Sequence, residues 1–320
     1  MKKTVRVSVV IPLYNKEPYV RRALDSVAAQ TFDDYEVVVV DDGSTDGGAG
    51  VVEAFARESH AGARLRLVRQ PNAGPGAARN RGLREARGEV AAFLDADDEW
   101  LPDFLSEGVR LLDAHDAAAV TFNYYEFPSG ASREAMWRAR GLKEGVFRLL
   151  PDTPAALAVA ALAFMSPCTT LARVAGLRRF GGFYERDRCV YAEDAHLWLK
   201  VLLNEPVYFD LRPLARLHVE AAGLSKNLKG ARPVEPFLLD ASDIEAACPD
   251  DLRPLLARVL AARAQKTACV LGYWGDWRAA RALVKRHAVE GGWRLPYYLP
   301  SVVCRTPLGA ALGRAWRALT

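Results

Sequence analysis

No stretch of this chain stays apolar for the roughly 20 residues that a helix needs to cross a bilayer, so a helical membrane span is not expected. Cysteine is sparse and unpatterned. The five residues (Cys168, Cys189, Cys248, Cys269, Cys304) are odd in number and include no Cys-X-X-Cys pair. That argues against a disulfide framework and a zinc site, and for free thiols in a reducing compartment. Internal repeats and low-complexity tracts are lacking, and Met1-Lys2-Lys3-Thr4 runs directly into a strand pattern without the character of a signal peptide. A cytoplasmic protein is the expectation, with peripheral attachment at the inner face of the membrane left open. Neither sign of charge dominates: 43 Lys and Arg against 39 Asp and Glu give +4. This mild excess suits an anionic ligand or an acidic membrane surface and requires neither. Nucleic acid is not an expected partner.

What is present is a globular chain of 320 residues, 50% hydrophobic and 26% charged, long enough for one large domain plus an appendage, or for two domains. Its first half alternates strands and helices. Val5 to Ile11 is β-branched and stops at Pro12, while Val20, Leu24 and Val27 recur at helical spacing. A second strand runs from Tyr35 to Val40, and a helix spans about Ala49 to Glu58. A third strand covers Leu65 to Val68, and a Gly-rich turn opens a helix ending near Arg87-Gly88. Such alternation predicts a doubly wound, mostly parallel α/β sheet, whose ligands bind beyond the carboxyl ends of the strands.

The most informative stretch is Ala91-Ala92-Phe93-Leu94-Asp95-Ala96-Asp97-Asp98. An apolar run of this kind is a buried strand, and here it ends in three carboxylates. Clustered anions at a sheet edge repel one another unless a cation joins them. A divalent metal with oxygen ligands, itself holding a diphosphate, answers that repulsion. One rival reading is a dinucleotide fingerprint at Gly74-Pro75-Gly76-Ala77-Ala78-Arg79, which would imply hydride transfer. Against it, Arg79 stands where close helix–strand packing wants glycine. The turn also belongs to the third βα unit, and its acid, Asp95, lies inside the carboxylate cluster.

Taken in order, these segments resemble family 2 glycosyltransferases, the inverting enzymes of GT-A (Rossmann-like) fold. The resemblance is carried by Val7 to Lys16, Ser26 to Phe32, Val40 to Asp46, Asn72 to Gly82 and Gly88 to Asp103. It continues in Phe180-Gly181-Gly182-Phe183, Glu193-Asp194 and Leu197-Trp198-Leu199-Lys200, covering roughly residues 5 to 225. It implies a catalytic domain over residues 1–228 and leaves 229–320 as a helical extension, for packing, dimer contact or membrane-surface contact.

The resemblance also implies roles. Pro12, Tyr14 and Asn15 would wall the nucleotide base, with Tyr14 offering a face for stacking, and Asp41 would accept from the base. Asp42 is the turn or cap residue of that pair. Arg79 would face the nucleotide or make a surface ion pair. Asp95 would approach the ribose or the metal, Asp97 would be the direct ligand of Mn²⁺ or Mg²⁺, and His218 would lie near metal and diphosphate or else in the core. Asp194 would be the general base, held charged by the helix dipole, with Glu193 orienting a neighbour or meeting the acceptor. Ser225 and Lys226 would close over the phosphates.

The implied function is transfer of a sugar from a nucleotide-sugar donor, UDP first by family frequency, to a glycan or lipid-linked acceptor in cell-surface polysaccharide assembly. A sugar nucleotidyltransferase and a non-catalytic nucleotide-binding protein are the alternatives. Pro12 to Asn15 is not the Gly- and Lys/Arg-rich loop that the first of these would need.

For the remainder, Glu126 to Leu150, broken by Pro128, Gly130, Gly141 and Gly145, suggests a mobile or acceptor-facing excursion. Asp152 to Phe164 predicts an Ala-rich structural helix, and Cys168 a buried small residue rather than a nucleophile. Glu235 to Ala247, Leu252 to Leu271 and Asp276 to Val289 predict amphipathic helices. The last stretch sets Trp293, Tyr297, Tyr298 and Trp316 among Arg294, Arg305, Arg314 and Arg317, which suits a membrane surface or a homodimer contact.

Overall fold

Valine-rich runs near the start of the chain, Val7 to Ile11 and Val37 to Val40, form central strands of the sheet. The computed structural model describes residues 5–221 and 232–319. Its strands are β1 (Val7–Leu13), β2 (Tyr35–Asp41), β3 (Leu65–Arg69), β4 (Val90–Phe93), β5 (Glu99–Trp100), β6 (Ala119–Phe127), β7 (Ala131–Ser132), β8 (Gly145–Phe147), β9 (Thr170–Arg173) and β10 (Val207–His218). The sheet order is β3-β2-β1-β4-β9-β6-β10-β5, with β7 on β6 and β8 on β10. The β3-β2-β1-β4 block is parallel, as is β6 with β10. Between these blocks lies β9, antiparallel to both neighbours.

Side chains alternate across the pleat, and both faces are covered. Val7, Val9, Ile11 and Leu13 join Val20, Leu24, Phe55 and Phe104 on one face. Val10, Ala91 and Phe93 face the other way, toward Leu83, Phe164 and Trp198. Because β2 and β4 leave β1 on opposite sides, the carboxyl end of β1 is the switch point of the sheet. After β4 the chain runs past the three aspartates and re-enters the sheet as β5 beside β10, at Ala215 and Arg216.

Three expectations need correction. The segment Glu126 to Leu150 holds two strands and the helix Glu134–Ala139, with Trp137 in the core, because β6 and β10 offer free edges that β7 and β8 fill. The helix foreseen over Glu235 to Ala247 is interrupted at Asp240 and becomes Pro236–Leu239 and Ser242–Ala247. The helix Arg253–Tyr273 is not a surface amphipath. The Ala155–Phe164, Trp277–Arg286, Tyr298–Cys304 and Pro307–Leu319 helices all pack on it, and its Leu255, Val259 and Ala264 belong to the same core as Trp198. No described helix is long and apolar enough to cross a membrane.

Candidate active site

A cleft of about 800 Å³ opens beyond the carboxyl ends of β1, β2 and β4. Pro12, Tyr14 and Asn15 line it from β1 and the loop that follows; Tyr14 is 46% exposed, so its ring is free to be covered. Asn15 adopts a left-handed conformation (φ 50), which asparagine tolerates better than most residues. Its side-chain oxygen accepts from the Thr45 N–H (2.8 Å), while its own N–H donates to Ser44 Oγ (3.1 Å). The loops after β1 and β2 are thereby locked together.

The two neighbouring aspartates that end β2 divide their work differently from the sequence expectation. Asp41 stays out of the cleft lining: its Oδ1 accepts the Ser44 N–H at 2.9 Å, and its Oδ2 lies 3.9 Å from Arg69 Nε. One step along the pleat, Asp42 does line the cleft, but both of its oxygens are engaged. They accept from Gln70 Nε2, Ala73 N and Gly74 N at 2.7–2.9 Å. Asp42 thus holds the loop that launches the next helix, where Gly74 turns with φ 93, a value open to glycine alone without strain.

That helix, Pro75–Glu85, carries Arg79, which is not a surface residue: it lines the cleft with its guanidinium engaged by two carboxylates. Buried at 5% exposure, its guanidinium donates to Asp95 Oδ1 through Nη2 and to Glu193 Oε1 through Nη1, both at 2.7 Å. Burial disfavours the charge of Arg79, but Asp95 and Glu193 outweigh it and hold the arginine protonated. Glu193, read from the sequence as orienting a neighbour or meeting the acceptor, is the second anchor of this arginine.

On the aspartate loop, Asp97 Oδ2 accepts from Lys16 Nζ at 2.5 Å, and Lys16 also donates to the Ala221 carbonyl at 2.7 Å. Asp98 Oδ1 accepts the His218 N–H at 2.8 Å. Burial pushes Asp95 up, but Arg79 more than offsets it and draws the group below the ordinary carboxylate value. Asp97 is raised by burial and then by Asp95. Asp98 is raised further, by burial and then by Asp97 and Asp95. Like-charge crowding of this kind is relieved by a cation.

Ligand atoms of Asp95, Asp98 and Cys168 lie within 4.8 Å of one another. The carboxylates of that trio suit a hard divalent ion; the thiol, which burial holds protonated, does not. Asp97 was the expected direct ligand, yet here it already faces the ammonium of Lys16. His218 lines the cleft with both ring nitrogens occupied, Nε2 2.9 Å from Glu99 and Nδ1 3.0 Å from Glu220, so metal ligation would require Glu99 or Glu220 to let go. Ser225 and Lys226 lie outside the described residues.

Across the cleft, the Glu193–Asn204 helix starts abruptly. The turn before it uses Gly181 (φ 80) and Gly182 (φ 73), and Asn80 grips it: the Asn80 amide donates to the Phe183 carbonyl and accepts the Phe183 N–H, both at 2.8 Å. Ala192 then sits in the left-handed region (φ 59) just ahead of the first helical residue, a strained conformation of the sort found at functional sites. Asp194 follows, accepting the Ala195 N–H at 2.8 Å. The helix dipole was expected to keep it charged in the ordinary range. Instead burial, and then the charge of Glu193, push its carboxyl up to about 7. His196 is buried and driven down to about 4 by desolvation, so it is a neutral packing residue.

Lys16 and Arg263, both cleft-lining, were not singled out from the sequence as binding groups, and Asp98 was read only as a member of the carboxylate cluster. Lys16 carried a signal, as the cation next to Asn15 on a loop facing an acidic sheet edge.

A sheet with its switch point at β1, an aspartate loop after β4 and a second acidic pair at a helix start define the GT-A class of nucleotide-sugar folds. The chain belongs to Glycosyl transferase family 2, whose family model matches residues 8–169. Among curated relatives, the succinoglycan biosynthesis protein ExoW of Rhizobium meliloti is 43% identical over 132 residues, 38% of this chain and 41% of that protein. Glycosyltransferase GlyA of Streptococcus pneumoniae is 37% identical over 122 residues, 38% of this chain and 17% of that protein. The chain thus spans less than half the length of these relatives.

Among solved structures, S. aureus TarS 1-349 in complex with UDP-GlcNAc has a TM-score of 0.59 at 21% identity, over 94% of this chain and 91% of TarS 1-349. The mannosyltransferase PcManGT from Pyrobaculum calidifontis, in complex with GDP-Man and Mn²⁺, has 0.57 at 23% identity, over 99% of this chain and 88% of that one. At these identities the likeness concerns the fold alone.

Proposed function

We propose that the chain transfers a sugar from a nucleotide-diphosphate donor, UDP-linked in the first instance, to an acceptor hydroxyl with inversion at the anomeric carbon, in cell-surface polysaccharide or glycan assembly. The observation that carries this reading is a single cleft with two acidic edges of different character: Asp95, Asp97 and Asp98 on one, and Asp194, pushed up to about 7, on the other. Complexes of other GT-A proteins with UDP-GlcNAc, and with GDP-Man and Mn²⁺, support a nucleotide-sugar donor. The succinoglycan relative supports polysaccharide assembly.

In the proposed reaction the diphosphate sits against the aspartate loop with the base toward Tyr14. Carboxylates of the loop, Asp97 and Asp95 first, would hold Mg²⁺ or Mn²⁺, which when bound neutralises charge on the departing diphosphate. Asp194 takes the proton of the acceptor hydroxyl as its oxygen bonds to the anomeric carbon and the bond to the diphosphate oxygen breaks on the opposite face. A base near 7 is about half ionised at neutral pH and strong enough to accept that proton, which then passes to water. One displacement needs no covalent enzyme intermediate. Arg79 does not touch the substrate in this scheme; by tying Asp95 to Glu193 it holds the two acidic edges at a set separation.

A sugar nucleotidyltransferase would need a flexible phosphate-cradling loop after β1, where this chain has a strand end pinned to Ser44 and Thr45. Incubating UDP-, GDP- and dTDP-sugars with the protein and Mg²⁺ or Mn²⁺ tests the reading. Metal-dependent release of the nucleoside diphosphate is expected, whereas pyrophosphate release, or no turnover of any donor, would overturn it.

We assign the carboxyl-terminal helices to contact with an anionic bilayer surface. Leu299 (77% exposed), Leu308 (67%) and Leu312 (57%) project from the Tyr298–Cys304 and Pro307–Leu319 helices, with Trp293 exposed beside Arg294. Residues 291–320 contain four arginines and no acid, the complement of an anionic headgroup layer. The side chains of Arg314, Trp316 and Arg317 lie outside the described residues.

A further inference from the structure

One wall of the cleft plays no part in the scheme above. Leu162, Met165, Val190 and Tyr191 make it largely apolar, and among the described residues one cation of the carboxyl-terminal helices reaches it: Arg263, from the middle of the Arg253–Tyr273 helix. Arg263 is 6% exposed, so its guanidinium has been withdrawn from water and needs partners. Those it has are few. Its Nη2 lies 3.0 Å from Glu235 Oε1, while the other oxygen of that fully buried carboxylate accepts from Thr267 Oγ1 at 2.5 Å. Nε of Arg263 has no hydrogen-bond partner among the described residues. A guanidinium presents five N–H donors in a planar fork, and the pairing with Glu235 uses one edge of it.

The surroundings add charge of the same sign. Burial first, and then Arg263, with Arg232 and Arg140 behind it, pull Lys266 below its ordinary value; Glu235 is the carboxylate that offsets them. Arg232 also stands over the ring of Tyr191, at 5.9 Å, on the same wall. The apolar wall thus carries the Arg263 cation, in a cleft whose carboxylates lie at the aspartate loop and at Glu193-Asp194.

We propose that Arg263 is an anion subsite on the acceptor side, binding a phosphate or carboxylate group that the acceptor carries near the hydroxyl to be glycosylated. This rests on the glycosyltransferase reading and adds to it the charge class of the acceptor. An oxyanion entering from the cleft takes a guanidinium N–H that Glu235 does not use, while Glu235, itself held by Thr267, keeps the fork in orientation through Nη2. Arg263 thus selects acceptors, while proton transfer remains with Asp194.

The test fills the donor half of the full-length chain with Mg²⁺ and whichever nucleoside diphosphate the donor screen selects. Glycerol 3-phosphate and glucuronate are then titrated calorimetrically, with glycerol and glucose as neutral counterparts. One anion, phosphate or carboxylate, should bind at least tenfold more tightly than its neutral counterpart, and Arg263→Gln should remove that preference. Glu235→Gln, which withdraws the competing carboxylate but leaves the arginine, should tighten anion binding; a purely structural pair predicts weakening instead. Because Arg263→Gln alone leaves Glu235 buried and unpaired, the double variant with Glu235→Gln supplies a neutral node expected to fold, and it too should lack the preference. Equal binding of charged and neutral probes, an unchanged preference in the double variant, or weaker anion binding in Glu235→Gln would overturn the subsite. If no nucleoside diphosphate binds the wild type at all, it is the glycosyltransferase reading that falls.

Discussion

Replacing Asp194 by Asn should trade activity for stability, and the size of the trade can be worked out. The carboxyl is lifted from an ordinary 3.8 to about 7, with burial as the first cause and Glu193 as the second. An acid whose folded value lies above its unfolded value binds more protons folded than unfolded between the two. Stability is therefore full below pH 4 and falls as pH rises toward 7. At 1.36 kcal/mol for each pH unit, the penalty above pH 7 is at most ~4 kcal/mol. Asparagine fills the same space without the charge, so Asp194→Asn should exceed the wild type by about 1.6 kcal/mol at pH 5 and by about 4 kcal/mol at pH 8. With about 2 °C per kcal/mol for a chain of this size, the gain in Tm at pH 8 is roughly 5–8 °C. The same variant should lose transfer by about 10²–10⁴, the span of general-base catalysis, while binding donor normally. Wild-type kcat/KM should rise with pH through a limb near 7. Thermal melts at the two pH values with a pH–rate profile decide the matter. No gain in relative stability at pH 8, or turnover retained by Asp194→Asn, would refute the reasoning.

At the opposite edge, Asp97→Asn should weaken metal-dependent binding of the nucleoside diphosphate at least tenfold by calorimetry; an unchanged affinity would remove Asp97 from the metal site. Arg79→Met strands the Asp95 and Glu193 carboxylates in a buried setting and should cost about 3–5 kcal/mol in urea unfolding. A loss under about 1 kcal/mol would mean that the pair is solvated rather than bridged. Vesicles containing anionic lipid should co-sediment the wild type, and Leu299→Glu with Leu308→Glu should abolish this without lowering donor hydrolysis. Binding that persists, or a homodimer that only the wild type forms, would reassign that face to another partner.

The parts legible in the sequence were those set by short-range rules. Runs such as Val37 to Val40, buried on both faces, read directly as central strands, and their ends mark the sheet edge where ligands gather. The same rules located Asp95 to Asp98, because they lie where an apolar pattern stops, whereas Glu193-Asp194 was found through the resemblance. They could not choose between Asp41 and Asp42, since one step along a pleat reverses which side a residue serves.

Nor could they supply the wiring. The partners of Arg79 lie 16 and 114 residues away, Lys16 meets Asp97 across 81, and Glu235 meets Arg263 from a separate short helix. The value of Asp194 escaped for the same reason: helix position alone argues for a charged carboxylate, and burial contributed by distant elements overrules it. In Ala261-Ala262-Arg263-Ala264 the arginine interrupts a small-residue face, which is the one local sign that a polar group there must find its partners inside the fold. A charge in such a place is held by the elements around it, so the acceptor wall depends on the carboxyl-terminal helices as closely as the donor wall depends on β1.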